Sequence, residues 1–425
     1  MILIENSSYH MRDTCRLCDS SDLYKVVDYE DSVPVDNYRS RFHQYVSLER
    51  MPMSLYQCGA CGHVQMRTVV DPNILYGEYI YNSQSSTDLS SHFDGLVDYL
   101  IKTIGTPENN FVVDVGCNDG LFLSKMSVKG YDVIGVDPSE SATNLAKERN
   151  VKVIVGFMGD DVAIRLLSKY RKATAVTASN VFSHADDLSE FIGGIYNILI
   201  EDGVFIFEVS YLVDLLFSGV LDYVYHEHLA HHSIKSLNAF LGKHGFQLER
   251  IDRLKVKGGS IRCLARKKSS NICVSDVVHE YIYMEKMMGL YEKHTYDRLG
   301  KFKRNLKDVV NKVVSSVSEK GIVVGYGASA TATVLSQELG YAEKLSFIID
   351  DNIKRQKTLS PGQLVPVGSM KDVKGYNVEL IIISAWRFKR NILKNCADYL
   401  DKGGRVFIPL PYPSLITKKE IRVLE

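Results

Sequence analysis

A buried strand that runs straight into a glycine turn admits few folds, and Phe111-Val-Val-Asp-Val-Gly-Cys-Asn-Asp-Gly120 is such a junction, with helical spacing resuming at Leu121, Phe122 and Met126. Gly116 and Gly120 let the backbone pass close to a ligand at the first strand-to-helix turn. A second apolar strand, Asp132-Val-Ile-Gly-Val136, ends in Asp137, 17 residues after Gly120. An acid at that point can accept both hydroxyls of a ribose. Further apolar runs at Val151 to Val155, Ala173 to Ala178 and Gly203 to Val209 continue the alternation. The chain is therefore α/β, with a Rossmann-like parallel sheet at its centre.

The turn reads Asp114-x-Gly116-x-x-x-Gly120, where dinucleotide folds have Gly-x-Gly-x-x-Gly. That spacing points to S-adenosyl-L-methionine, with Asp114 placed for the methionine amino group and Asn118 inside the turn. Ser179-Asn-Val-Phe-Ser-His184 follows the fourth strand, where a parallel sheet opens its ligand crevice. Asn180 is expected to line the cofactor and His184 to face a substrate; a lone histidine is more often structural, so this role rests on location.

Residues 76 to 270 carry this unit, and three other stretches flank it. Cys15-Arg-Leu-Cys18 and Cys58-Gly-Ala-Cys61 are two Cys-x-x-Cys pairs 39 residues apart. Four thiolates at this spacing complete a tetrahedral structural zinc site with no position open to substrate, so residues 1 to 75 are expected to form a small zinc-binding domain. Metal binding can supply on the order of 10 kcal/mol to so small a module. His63 is a possible substitute ligand. Tyr76, Tyr79 and Tyr81 precede a run of hydroxyl and amide residues and then an amphipathic helix capped near Ser90; they read as a strand edge or as a lid over the nucleotide-type fold.

Residues 271 to 320 place Val277, Val278, Tyr281, Met284, Met288 and Tyr291 at helical spacing, a connector of one or two helices whose stripe is expected to pack on a neighbouring domain. From 321 to 425 a second Rossmann-like unit begins with Gly325-x-Gly327-x-x-Ala330, and Leu345 to Ile349 leads into Asp350 and Asp351. Three readings stay open for it: a dinucleotide site of an NAD(P)-dependent oxidoreductase, a loop for the phosphates of a nucleotide-linked substrate, or a brace for the other domains.

Chemistry concentrates in Tyr225-His-Glu-His228, where four of the twelve histidines fall within seven residues (226, 228, 231 and 232). Imidazole titrates near neutral pH and a neighbouring carboxylate can orient it, so this is an acid-base set; a His-rich surface turn or metal tract is the competing reading. The 51 basic and 51 acidic side chains cancel, which leaves no global field for nucleic acid or an anionic membrane. Glu208 and Asp214 interrupt the best apolar window, and the expectation is a soluble cytoplasmic protein, a monomer or weak homodimer.

Taken in order, these features resemble the three-domain sugar C-methyltransferases that act on nucleotide-linked 4-keto-deoxyhexoses. The carriers are the paired Cys-x-x-Cys knuckles, Glu78-Tyr-Ile-Tyr-Asn-Ser83, Val113 to Gly120, Asn180 to His184, Tyr225 to His228, Gly258-Gly-Ser-Ile-Arg262, Gly325-Tyr-Gly-Ala, Asp350-Asp-Asn352 and Ser360-Pro-Gly362. The resemblance spans essentially the whole chain and implies a class I methyltransferase fold between a zinc-binding and a Rossmann-like domain. It implies S-adenosyl-L-methionine and structural zinc, with His228 as base and Tyr225, Glu227, His184 and Tyr79 around a nucleotide-diphosphate keto-sugar. Glu227 or His184 would set the tautomer of His228, and Tyr225 or Tyr79 would donate to an enolate oxygen. O-methylation of a related sugar is the nearest alternative. Lys257 stands where the family often has histidine and Thr331 where it often has lysine, both where substrate phosphates would be met.

Overall fold

The computed structural model describes residues 8–40, 49–76, 87–268 and 274–424. Its central sheet orders seven strands as Phe246–Leu254, Ser260–Lys267, Leu199–Ser210, Ala173–Ser179, Phe111–Val115, Asp132–Asp137 and Val153–Val155. The last five run parallel, in the register Phe111 beside Asp132 and Ala175 beside Val112. The first two form an antiparallel hairpin on the Leu199–Ser210 edge. This puts the ends of strands Phe111–Val115 and Ala173–Ser179 side by side at the carboxyl edge, where chain direction reverses across the sheet and a crevice must open.

Residues 8–76 build a four-stranded antiparallel sheet in the order Ala230–His231, Val64–Met66, Leu55–Cys58 and Leu23–Val27. Its first strand is borrowed from the segment that follows Tyr225-His-Glu-His228. The C-terminal sheet places Val367–Gly368, Leu345–Ile349, Ile322–Tyr326, Val378–Ile383 and Arg405–Ile408 in parallel, with Ser414–Ile416 and Ile421–Val423 added antiparallel.

Polar ties close the N-terminal and C-terminal modules on each other. Arg39–Ser40 pairs with Thr358–Leu359. Helix Ala330–Glu338, capped by Ser329, offers Gln337 to Ser32 Oγ at 2.6 Å, Glu338 to the Glu30 amide at 2.6 Å and Thr333 to the Tyr38 hydroxyl at 3.0 Å. From Ala332 to Glu338 the helix is buried although four of these residues are polar, because Thr333, Gln337 and Glu338 have partners across the seam and Ser336 bonds back to the Thr333 carbonyl.

Several expectations shift. The amphipathic helix starts at Thr87, ahead of Ser90, and Tyr76 ends a short helix, Pro72–Tyr76, so it is not on a strand edge. The connector is two helices, Asp276–Met287 and Lys293–Ser315. Val278 is buried, but Met284 and Met288 are 46% and 39% exposed, so the stripe covers a neighbour only in part. The second helix buries Leu299, Leu306, Val309, Val310 and Val313, and a polar tie joins the first: buried Glu285 accepts from the Tyr211 hydroxyl at 2.8 Å and from the Ile234 amide at 2.6 Å. Among the described residues no helix is long and apolar enough to cross a membrane.

Candidate active site

The crevice begins at the glycine turn. Gly116 has φ 71° and Gly120 has φ 69°, in the region that favours glycine. A Cβ on Gly116 would run into the Val181 side chain, so the turn and the Asn180–His184 loop lie in contact. Asn118 and Asn180 also have positive φ, 49° and 59°, a conformation asparagine tolerates better than other side chains with a Cβ.

Two carboxylates flank the turn. Asp114 is buried and accepts from Thr177 Oγ1 at 2.6 Å; burial pushes its carboxyl up to about 7, against the lowering effect of that hydrogen bond. Asp137 accepts the Asn118 amide at 2.9 Å and the Ser139 amide at 2.9 Å. Burial raises its pKa, and the two amides counter part of that rise. A carboxylate has about four acceptor positions, so these bonds leave capacity for two ribose hydroxyls. Together, a glycine turn packed on the Asn180–His184 loop, a buried acid at one end and a second acid at the other fit S-adenosylmethionine.

The histidine-rich loop reaches this crevice through His184. The Ala230 amide donates to the Ser183 carbonyl at 3.1 Å, which holds the two loops edge to edge. The rings of His184 and His228 are 5.1 Å apart, and those of Tyr225 and His228 4.0 Å. Tyr225, Glu227 and His228 are all buried. His228 Nδ1 lies 2.6 Å from the Tyr223 carbonyl oxygen. A carbonyl only accepts, so Nδ1 donates and, in the neutral ring, Nε2 holds the lone pair: the Tyr223 backbone is a tautomer-setting partner that the sequence did not point to. Tyr79 lies outside the described residues.

The other three histidines of the loop do different work. His226 packs against Met51 and Pro52, and burial pushes its imidazole down to about 4. His231 lies in the strand shared with the N-terminal sheet; burial and then Arg16 take it to about 4. His232 stacks on Phe182 at 5.3 Å and 11°, and burial takes it to about 3. All three are buried packing groups, so the tract is not a surface turn, and among the described residues the metal-ligand cluster is that of the four cysteines.

The four sulfurs of Cys15, Cys18, Cys58 and Cys61 lie within 4.8 Å of one another, with Cys15 to Cys61 and Cys18 to Cys58 each at 3.6 Å. Bonds of about 2.3 Å to a tetrahedral ion space sulfurs roughly 3.8 Å apart, so the set fits zinc. His63 is not part of it; its ring lies 5.5 Å from that of His232.

Sequence reading missed two groups beside the site. Glu208, at the end of strand Leu199–Ser210, takes His92 Nε2 at 2.7 Å and Arg262 Nε at 2.7 Å. Burial alone would raise its pKa, but His92 and Arg262 hold it below the usual value. A lone acid in an apolar strand was the available signal. Asp222, just before Tyr223, is fully buried against Trp386 and Arg387 of the C-terminal module.

Comparison with known proteins agrees with this layout. Residues 15–76 match the family described as a zinc binding domain, 89–251 a methyltransferase domain and 255–411 a C-methyltransferase C-terminal domain. The C-methyltransferase NovU of Streptomyces niveus is 28% identical over 407 residues, 95% of this chain and 97% of that one. A ubiquinone biosynthesis O-methyltransferase of Alkalilimnicola ehrlichii is 28% identical over 93 residues, 21% of this chain and 38% of its own. Among solved structures, magnesium protoporphyrin IX methyltransferase of Synechocystis with bound S-adenosylmethionine is 18% identical, with a TM-score of 0.33 over 42% of this chain and 79% of that one.

Proposed function

This chain belongs to the S-adenosylmethionine-dependent C-methyltransferases that carry an N-terminal zinc-binding domain, and from that premise we propose that it methylates the carbon beside the ketone of a nucleotide-linked 4-keto-deoxyhexose. The observation that carries this reading is the buried imidazole of His228, in ring contact with His184 on the loop that touches Gly116. Base and cofactor cradle thus share one crevice.

A ketone acidifies the proton on the adjoining carbon, position 3 or 5 of the sugar. Nε2 of His228, holding its lone pair because Nδ1–H is bonded to the Tyr223 carbonyl, removes that proton. Tyr225, against the same ring, donates to the developing enolate oxygen, a charge that a preorganised donor stabilises by roughly 3 kcal/mol. Glu227 and His184 bound the sugar. Asp114 takes the ammonium of the cofactor, Asp137 its ribose hydroxyls, and Asn118 and Asn180 line it. When bound, S-adenosylmethionine supplies an electrophilic sulfonium methyl for in-line transfer to the carbanionic carbon. The four-cysteine zinc site supplies folding energy only.

The test is a panel of thymidine-, uridine-, cytidine- and guanosine-diphosphate 4-keto-deoxyhexoses incubated with methyl-labelled cofactor and read by mass spectrometry. One member should gain a carbon-bound methyl, and in deuterated water without cofactor it should exchange a proton at the same carbon. His228→Asn should slow both by about 1,000-fold, the scale of a lost general base. Exchange at the wild-type rate in that variant, or methyl appearing on oxygen, would remove the proposal.

A further inference from the structure

The loop that carries His228 leaves the central sheet after Ser210 and is moored on both sides by the flanking modules. On one side, strand Ala230–His231 is sewn into the N-terminal sheet beside Val64–Met66. On the other, the short turn Leu221–Tyr223 is gripped by the C-terminal module. Asp222, fully buried, accepts Arg387 Nη1 at 2.6 Å, Arg387 Nη2 at 3.0 Å and Trp386 Nε1 at 2.9 Å. That is a bidentate pair plus a third donor on one carboxylate, which fixes its plane as well as its position. The Arg387 guanidinium also lies 5.5 Å from the centre of the Tyr223 ring. Gly258, at φ 89°, keeps space for it: a Cβ there would stand 3.1 Å from Nη2.

The next residue, Tyr223, is the one whose carbonyl holds the Nδ1 proton of His228. We propose that Trp386 and Arg387 form a bracket which, through Asp222, sets the Tyr223 carbonyl and so the tautomer of the base; Asp222 and Arg387 are positioning residues for proton abstraction. This rests on His228 being the base. The third domain then has a task in the chemistry although the cofactor is bound in another. A tilted carbonyl would free the imidazole to place its proton on Nε2, the nitrogen that must accept.

The test uses the zinc-loaded full-length chain with nitrogen-15-labelled histidine. The His228 signals, identified by their loss in His228→Asn, report the proton's position by the shifts of the two ring nitrogens. Wild type should show the Nδ1–H form; Asp222→Asn and Arg387→Gln should each move a large share of the population to Nε2–H. For the panel member turned over fastest, each variant should lower kcat at least tenfold with cofactor affinity within twofold of wild type. The double variant should be no slower than the worse single one, because both act through one bond. Trp386 is the chain's only tryptophan, so a shift in its emission in each single variant reports that the bracket has opened in a folded protein. An unchanged tautomer with kcat within twofold in both single variants would overturn the bracket and leave the base assignment standing. Undiminished exchange in His228→Asn would instead overturn the base assignment.

Discussion

The two Rossmann-like sheets use one backbone device to opposite ends. In each, the turn glycine donates to the end of the second strand, Gly116 to Val136 at 2.7 Å and Gly327 to Ile349 at 2.8 Å. Then an acid gathers two amides: Asp137 those of Asn118 and Ser139, Asp350 those of Ala328, at 2.6 Å, and Asn352, at 2.8 Å. What differs is the lining. Two residues before the turn glycine stands a buried carboxylate, Asp114, in the central sheet, and Gly325 in the C-terminal one. Over the turn lies the Val181 side chain in the first case; in the second, a Cβ on Gly327 would meet first the Ala385 methyl group and then its backbone nitrogen, 3.0 Å away. A side chain can give way to a ligand where a packed backbone cannot. The same glycine device thus packs against different partners in the two sheets, and the segment held by the second turn goes on to present Trp386 and Arg387.

The contrast can be broken most sharply at the acid. Asp114→Ala should weaken S-adenosylmethionine by about 100-fold or more, the scale of a lost charge-assisted contact of about 3 kcal/mol, measured by calorimetry. Gly327→Ala, strained by φ 110° and by the Ala385 backbone, should lower the unfolding free energy by about 2 kcal/mol in urea titrations while cofactor affinity stays within twofold. Cofactor loss in that variant would mean that the two turns are not independent.

The pH dependence sharpens the same point. With its folded pKa raised to about 7 from 3.8, Asp114 is protonated in the empty protein below that value while the unfolded chain is ionised above 3.8. The folded state therefore binds the extra proton, and stability from this group is fully present below pH 3.8 and lost as pH rises through about 7. The cationic cofactor prefers the ionised acid, so its affinity should rise about tenfold from pH 6 to pH 8, with proton release visible as a buffer-dependent heat. A flat profile would place the ammonium elsewhere. The smallest expected signal is none: NAD titrated into the full chain should give no binding heat, and tight binding would restore the oxidoreductase reading of the Gly325 turn.

Much of the framework was legible because its strands are continuous apolar runs bounded by turns: Phe111 to Val115, Asp132 to Asp137 and Leu345 to Ile349 were read to the residue or nearly so. The hairpin Phe246–Leu254 with Ser260–Lys267 was not, since Arg250, Asp252, Arg253, Arg262 and Arg266 interrupt both the alternation and the apolar run that would mark it. At the site, residue types close in sequence were visible as a group, but not how the fold divides them. His228 lies against the His184 ring while His232 stacks on Phe182 and His226 packs by Met51 and Pro52, a difference set by which neighbours fold over each ring. His228 Nδ1 meets a main-chain oxygen, and no side-chain pattern encodes that contact. Asp222 and Arg387 meet across 165 positions, beyond the reach of any local signal.

The borrowed strand Ala230–His231 has a practical corollary for anyone wishing to splice such proteins. A segment cut out to hold the central sheet alone would leave the Tyr225–His228 loop without its strand partner in the N-terminal sheet and without Trp386 and Arg387 on the other side. Exchange of whole domains between relatives should accordingly succeed only when the donor's seams travel with it.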